Sequence, residues 1–165
     1  MYLVGEGFTG SGPEAAHVNA VLGDREGPVG TAFATALAGP SAGHAPFLVV
    51  AQPGLAVQPP TLFVNKAPIA GDGHARLTWG PAQAGIAGGV IDALADGLVA
   101  EADVIGTVLI CAVWVDPAAS DASLVYRNNR QATLDALRSG VVGYPPVADV
   151  LAVREAVWNP FFTPG

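Results

Sequence analysis

Short apolar runs with strand patterning alternate along this 165-residue chain with segments of helical periodicity. No internal repeat and no linker divides it. These observations predict an α+β or α/β layered sandwich, folded as a single domain over residues 1–165. A chain of this length can bury a substantial core.

Residues 2–12 read as a first or edge strand that ends in the turn Gly10-Ser11-Gly12. From Pro13 to Phe33 the pattern is strand, tight turn and helix start. Strand alternation puts His17, Asn19 and Val21 on one face and Val18, Ala20 and Leu22 on the other. The segment Gly23-Asp24-Arg25-Glu26-Gly27 turns the chain. Pro28 then suits the first position of a helix reaching about Ala38, with Val29, Phe33, Ala36 and Leu37 inward.

Gly39 to His44 reads as a loop, and the continuous apolar run Phe47–Ala51 as a buried strand. Pro53 to Pro60 is rich in breakers and reads as a loop. Thr61–Lys66 is a further strand, stopped near Pro68, which has no N–H to donate. Ala70 to His74 reads as a turn. Ile86, Val90, Leu94 and Leu98 recur at helical spacing within a helix expected over Pro81–Ala100. Its glycines, Gly85, Gly88 and Gly89, weaken it but allow a neighbouring element to come close. Val104–Val115 is expected as a central strand.

Ser120 or Asp121 caps a helix running to about Ser139, with Gly140 to end it. The polar middle of that helix, Arg127 to Gln131, is expected to face solvent or a partner in part. Pro145–Glu155 is a last short helix. The aromatic tail Trp158-Asn159-Pro160-Phe161-Phe162 should dock on its own core or on a neighbouring subunit.

Composition excludes several functions. The net charge is −7 with no basic cluster, which argues against nucleic acid and against an anionic membrane surface. Only 13% of residues are charged and 51% are apolar, a lean surface that oligomerisation would explain. The single cysteine, Cys111, rules out a disulfide framework within one chain and reads as a buried small hydrophobe. The start of the chain lacks signal-peptide features, and the longest apolar stretch is too short to span a bilayer. The expected location is cytoplasmic.

Chemistry-bearing residues are few. His17 shares a strand face with Asn19. Lys66 is the only lysine, closing an apolar strand in a chain that otherwise uses arginine. It is either an amine kept for chemistry or a strand-end cation reaching water. Gln83 falls in the first turn of a helix and is either solvated or aimed at a polar ligand. His44 and His74 lie in glycine-containing segments and are expected to be solvated. No metal-ligand spacing, nucleophile elbow or phosphate loop occurs. The residues alone thus point to a small-molecule site built from His17, Asn19, Lys66 and Gln83.

These residues sit in segments that resemble the formaldehyde-activating enzyme family. The segments are Ala16-His17-Val18-Asn19, Gly27 to Ala34, Pro59 to Lys66, and Gly80-Pro81-Ala82-Gln83, collinear over nearly the whole chain. The resemblance implies a two-layer α/β sandwich like the second domain of ribosomal protein S5, assembled as a homopentamer with the pterin near subunit contacts. It implies a lyase of one-carbon metabolism that condenses formaldehyde with tetrahydromethanopterin as co-substrate, without a metal. Carried over by position, the proton-donating histidine falls on His17, and substrate contacts fall on Asn19, Leu48, Lys66, Pro68 and Gln83. Asn19 stands where the family usually has aspartate, and Pro68 where it usually has threonine. Asp116 replaces a histidine, and Asn128 and Arg130 replace tyrosines. These departures leave two alternatives: the same scaffold turned to another amine, pterin or cyclisation, or a non-catalytic oligomer that binds pterin or aldehyde.

Overall fold

The computed structural model describes residues 2–143 and 145–164. Strands β1 (Tyr2–Thr9), β2 (Ala16–Asp24), β3 (Phe47–Leu48), β6 (Thr61–Asn65) and β7 (Thr107–Trp114) form a five-stranded sheet in the order β1-β2-β7-β6-β3. The β6–β7 pair is parallel and the others are antiparallel. Strands β4 (Val50–Gln52) and β5 (Leu55–Ala56) make a small separate hairpin. The fold is α+β, with β7 central as its apolar run predicts.

Helices α3 (Gln83–Ala95) and α5 (Ala122–Val142) form the second layer. Helix α5 lies against β1 and β2, and α3 packs along α5. The expected alternation holds on β2: Val18, Ala20 and Leu22 are fully buried in the core, while His17, Asn19 and Val21 are half-exposed. Glycines set the spacing of the layers. A Cβ on Gly5 or Gly7 of β1 would overlap the α5 backbone at Ala136 or Ala132. A Cβ on Gly85 would sit 2.5 Å from the Tyr126 carbonyl oxygen, so α3 can approach α5 only because glycine is there.

Helix α1 (Pro28–Ala38) has the expected bounds and packs on β2 and β7, but only Val29 is buried and Leu37 is exposed. Asp121, rather than Ser120, caps α5: its Oδ1 accepts from the Ser123 and Leu124 amides at 2.8 and 2.9 Å. The helix runs past Gly140, whose missing side chain makes room for Leu3, and stops at Gly143 with φ 89°. In its polar middle, Asn129 is buried, whereas Arg130 reaches across to Asp92 on α3 at 2.6 and 2.7 Å.

Other expectations need correction. Phe47–Ala51 is not one buried strand but the whole of β3 and the start of β4, and of its residues only Val49 is fully buried. The helix expected over Pro81–Ala100 opens on a π-turn (Thr78–Ala82) around Pro81 and stops at Ala95. A short helix, α4 (Glu101–Val104), precedes β7. Ala70–His74 is not a turn but the start of α2 (Gly71–Leu77). His74 is buried, not solvated: its Nδ1 accepts the Ala70 amide at 3.0 Å and its Nε2 donates to the Val115 carbonyl at 3.0 Å. That side chain caps the helix it belongs to, which is why the glycines there do not prevent helix formation. His44 is half-buried and donates from Nδ1 to the Asn65 carbonyl. The last short helix is α6 (Val147–Ala152). Among the described residues no helix is long and apolar enough to cross a membrane.

Candidate active site

Helices α3 and α5 cover one face of the sheet, and the chemistry lies on the other. Cross-strand register builds that face in rows. Phe8, His17 and Trp114 are directly opposite one another on β1, β2 and β7. In the next row are Glu6, Asn19 and Ala112. Side chains in adjacent rows of neighbouring strands are within reach of each other. Glu6 uses that diagonal: its Oε1 is 3.0 Å from His17 Nε2.

Lys66 follows directly on β6 and its amide donates to the Val113 carbonyl of β7. Its side chain extends over β7, and Nζ donates to the His17 carbonyl oxygen at 3.4 Å. The aromatic tail closes over this group. Phe161 meets Phe8 edge-on at 6.1 Å between ring centroids, and Trp114 at 6.0 Å. Phe161 is thereby the common wall of two cavities that both contain His17. The larger, about 830 Å³, is also lined by Glu6, Phe8, Asn19 and Trp158. The smaller, about 170 Å³, is bounded by His17, Lys66, Trp114 and Phe161. Within one chain the tail thus meets the sheet through Phe161, while Trp158 and Phe162 stay largely exposed.

Electrostatics follow from this arrangement. Burial pushes the His17 imidazole below its usual pKa, and the nearby Lys66 charge pushes the same way, while Glu6 pulls it back up. Burial also lowers Lys66 to about 8, again opposed by Glu6. The site thus combines an imidazole held by a carboxylate, a half-buried amine and aromatic walls. Such a set can exchange a proton near neutrality and hold a flat ring.

The sequence-derived candidates divide into two groups. His17, Asn19 and Lys66 come together around the two cavities. Leu48, Pro68 and Gln83 line neither cavity within one chain. Leu48 is exposed on β3, Pro68 packs beside Gly43, and Gln83 Nε2 donates to the Val50 carbonyl at 2.8 Å. Sequence reasoning missed Glu6, Phe8, Trp114 and Phe161 as site residues. The one local signal for Glu6 is its place between Gly5 and Gly7, where the period of a strand sends it away from the glycine face. Among the described residues no cluster of three or more His, Cys, Asp or Glu side chains is disposed to hold a metal ion.

Comparison with known proteins adds an independent finding. A sequence model of one family, described as formaldehyde-activating enzyme, matches residues 4–162. The chain is 40% identical over 159 residues to the 5,6,7,8-tetrahydromethanopterin hydro-lyase of Methanosarcina barkeri, covering 96% of this chain and 89% of that protein. It is 42% identical over 155 residues to the bifunctional enzyme Fae/Hps of Methanococcoides burtonii, covering 94% of this chain. It spans 39% of the length of that bifunctional relative.

Proposed function

The chain belongs to the formaldehyde-activating enzyme family, and we propose that it condenses formaldehyde with tetrahydromethanopterin to give methylene-tetrahydromethanopterin and water. The observation that carries this reading is the His17–Glu6 contact at 3.0 Å inside an aromatic-walled groove. A relative covered over most of its length is named a tetrahydromethanopterin hydro-lyase, which supports the same substrate here.

In this reading a pterin nitrogen adds to formaldehyde and forms a carbinolamine. The imidazolium of His17 protonates its hydroxyl, and water leaves. Positioned acid catalysis of this kind contributes about 10² to 10⁴-fold. The desolvated site disfavours an imidazolium, and Glu6 offsets that by accepting its N–H. The second pterin nitrogen then closes on the iminium carbon, aided by being held next to it.

Asn19 lacks the carboxylate that the family usually carries at its position, which favours a second reading in which another amine is the acceptor. Glu6 lies directly opposite Asn19 and supplies His17 with a carboxylate, so the loss at position 19 does not remove support for the acid. The pterin reading is therefore preferred.

The finer features belong to the same proposal. The whole chain, 1–165, acts as one cytoplasmic domain that assembles as a homopentamer. Exposed apolar residues on α1, such as Leu37, and on the last forty residues, such as Val142 and Leu151, are suited to subunit contacts. Leu48, Pro68 and Gln83 would complete the substrate site at such a contact.

The test is to incubate the purified protein with formaldehyde and tetrahydromethanopterin and to subtract the spontaneous reaction. Acceleration supports the reading. Folded protein that is thermally stabilised by the pterin without accelerating the reaction would instead be a binder. Folded protein that does neither would direct the search to another amine.

A further inference from the structure

Lys66 is the only lysine of the chain, and its side chain lines a small cavity on the His17 face of the sheet. It shares the smaller cavity with His17, between the rings of Trp114 and Phe161. Among the described residues no carboxylate lies within ion-pair distance of it, and its one hydrogen bond is the 3.4 Å contact to the His17 carbonyl. The cavity, about 170 Å³, is far smaller than the adjoining groove and suits a one-carbon aldehyde better than a pterin. An amine in such a cavity, beside a proton donor, has the parts of a carbonyl-capturing site.

We propose that Lys66 is a covalent catalytic residue, whose Nζ captures formaldehyde as a methylene iminium in the cavity shared with His17 and passes the carbon to the amine substrate. This rests on the reading of formaldehyde as the substrate, and the carbinolamine that His17 dehydrates then forms first on Nζ, in place of direct addition of the pterin nitrogen. The neutral amine attacks the carbonyl carbon and the C–N bond forms. The proton on the new ammonium moves to the oxygen, giving a carbinolamine. His17 protonates the hydroxyl and water departs, leaving the iminium on Nζ and a neutral imidazole. A pterin N–H nitrogen adds to the iminium carbon, its proton passes to Nζ, and the Nζ–C bond breaks to release the lysine amine. The second pterin nitrogen closes on the carbon and its proton returns to His17. The balance is one formaldehyde and two N–H groups in, one methylene bridge and one water out.

The pKa of about 8 supports this order of events. At pH 7 an amine of that pKa is neutral roughly 200 to 300 times more often than an ordinary lysine. It gives the cavity a nucleophile without an added base.

The test is reductive trapping without pterin. The folded protein is treated with ¹³C-formaldehyde and cyanoborohydride at pH 7, and the labelled methyl is located by peptide mass mapping. A single lysine makes the assignment unambiguous against the N-terminal amine. Methylation of Lys66 is expected at least ~10-fold faster than that of Nα-acetyl-lysine amide under the same conditions. It should slow in His17→Ala, and tetrahydromethanopterin added before the reductant should discharge the carbon and suppress the label. Lys66 reacting no faster than the free amide would overturn the proposal. So would a Lys66→Arg variant that keeps the wild-type kcat. The two readings separate cleanly. Fast trapping without pterin condensation keeps Lys66 as the capture site and removes the pterin as acceptor. Condensation with no fast trapping keeps the pterin reading and removes the covalent step.

Discussion

Glu6 on β1 and His17 on β2 are not cross-strand partners, yet the Glu6 carboxylate reaches diagonally to His17 Nε2 at 3.0 Å. Glu6 is exposed, and it is the group that raises the His17 pKa against burial and Lys66. Glu6→Gln removes that charge and lowers the pKa further. The pH–rate profile should then lose its activity at lower pH than wild type does on the basic side, with a reduced rate at neutrality. In a His17→Ala background the same substitution should leave the remaining rate and profile unchanged. A Glu6→Gln profile that overlays the wild type would show that the contact has no catalytic role.

Lys66 makes stability depend on pH in a stated direction. Its pKa is about 8 in the folded chain against an ordinary lysine value of 10.5. Below pH 8 both states hold the proton and the folded state carries the full desolvation cost. Between about 8 and 10.5 only the unfolded state keeps it, so stability rises with pH. Urea midpoints measured from pH 7 to 10 should therefore climb for wild type relative to Lys66→Met. Parallel curves would contradict the buried placement of the amine.

Phe161 is mostly exposed except where it meets Phe8 and Trp114. Phe161→Ala should open the wall of both cavities. The expected outcome is a raised KM with little change in Tm, because the tail lies outside the core between sheet and helices. An equal fall in Tm and activity would mean that the tail is part of the folding core.

Gly7 and Gly73 should respond oppositely to alanine. At Gly7 the new methyl meets the α5 backbone at Ala132, so the sheet and helix must separate. Overpacking of this kind costs about 1–3 kcal/mol or more. At Gly73, within α2, nothing lies within 4 Å of the added Cβ, and alanine should be neutral or stabilising. Denaturant titration of the two variants checks the pair.

These positions also show what the sequence could reveal. The alternation along β2 was legible because only one of its faces is buried. The cap at Asp121 and the start of α1 at Pro28 were legible because their signals are local. Helix α2 was not, since it depends on His74 bonding to the Val115 carbonyl, 41 residues away. His17, Asn19 and Lys66 stood out as residue types in unusual places. Glu6 did not, because its link to His17 arises from the register of β1 on β2, which no single segment encodes. Trp114 and Phe161 were hidden for the same reason: one depends on strand register and the other on where the tail docks.

The central claim is that His17 is the acid for loss of water from the formaldehyde adduct. The most direct measurement is the rate of methylene-tetrahydromethanopterin formation from formaldehyde by wild type and by His17→Ala, with the spontaneous rate subtracted from each. The account predicts acceleration by wild type and a loss of about 10² to 10⁴-fold in the variant, which should remain folded because His17 lies on the half-exposed face. A folded His17→Ala protein that keeps the wild-type rate would contradict it.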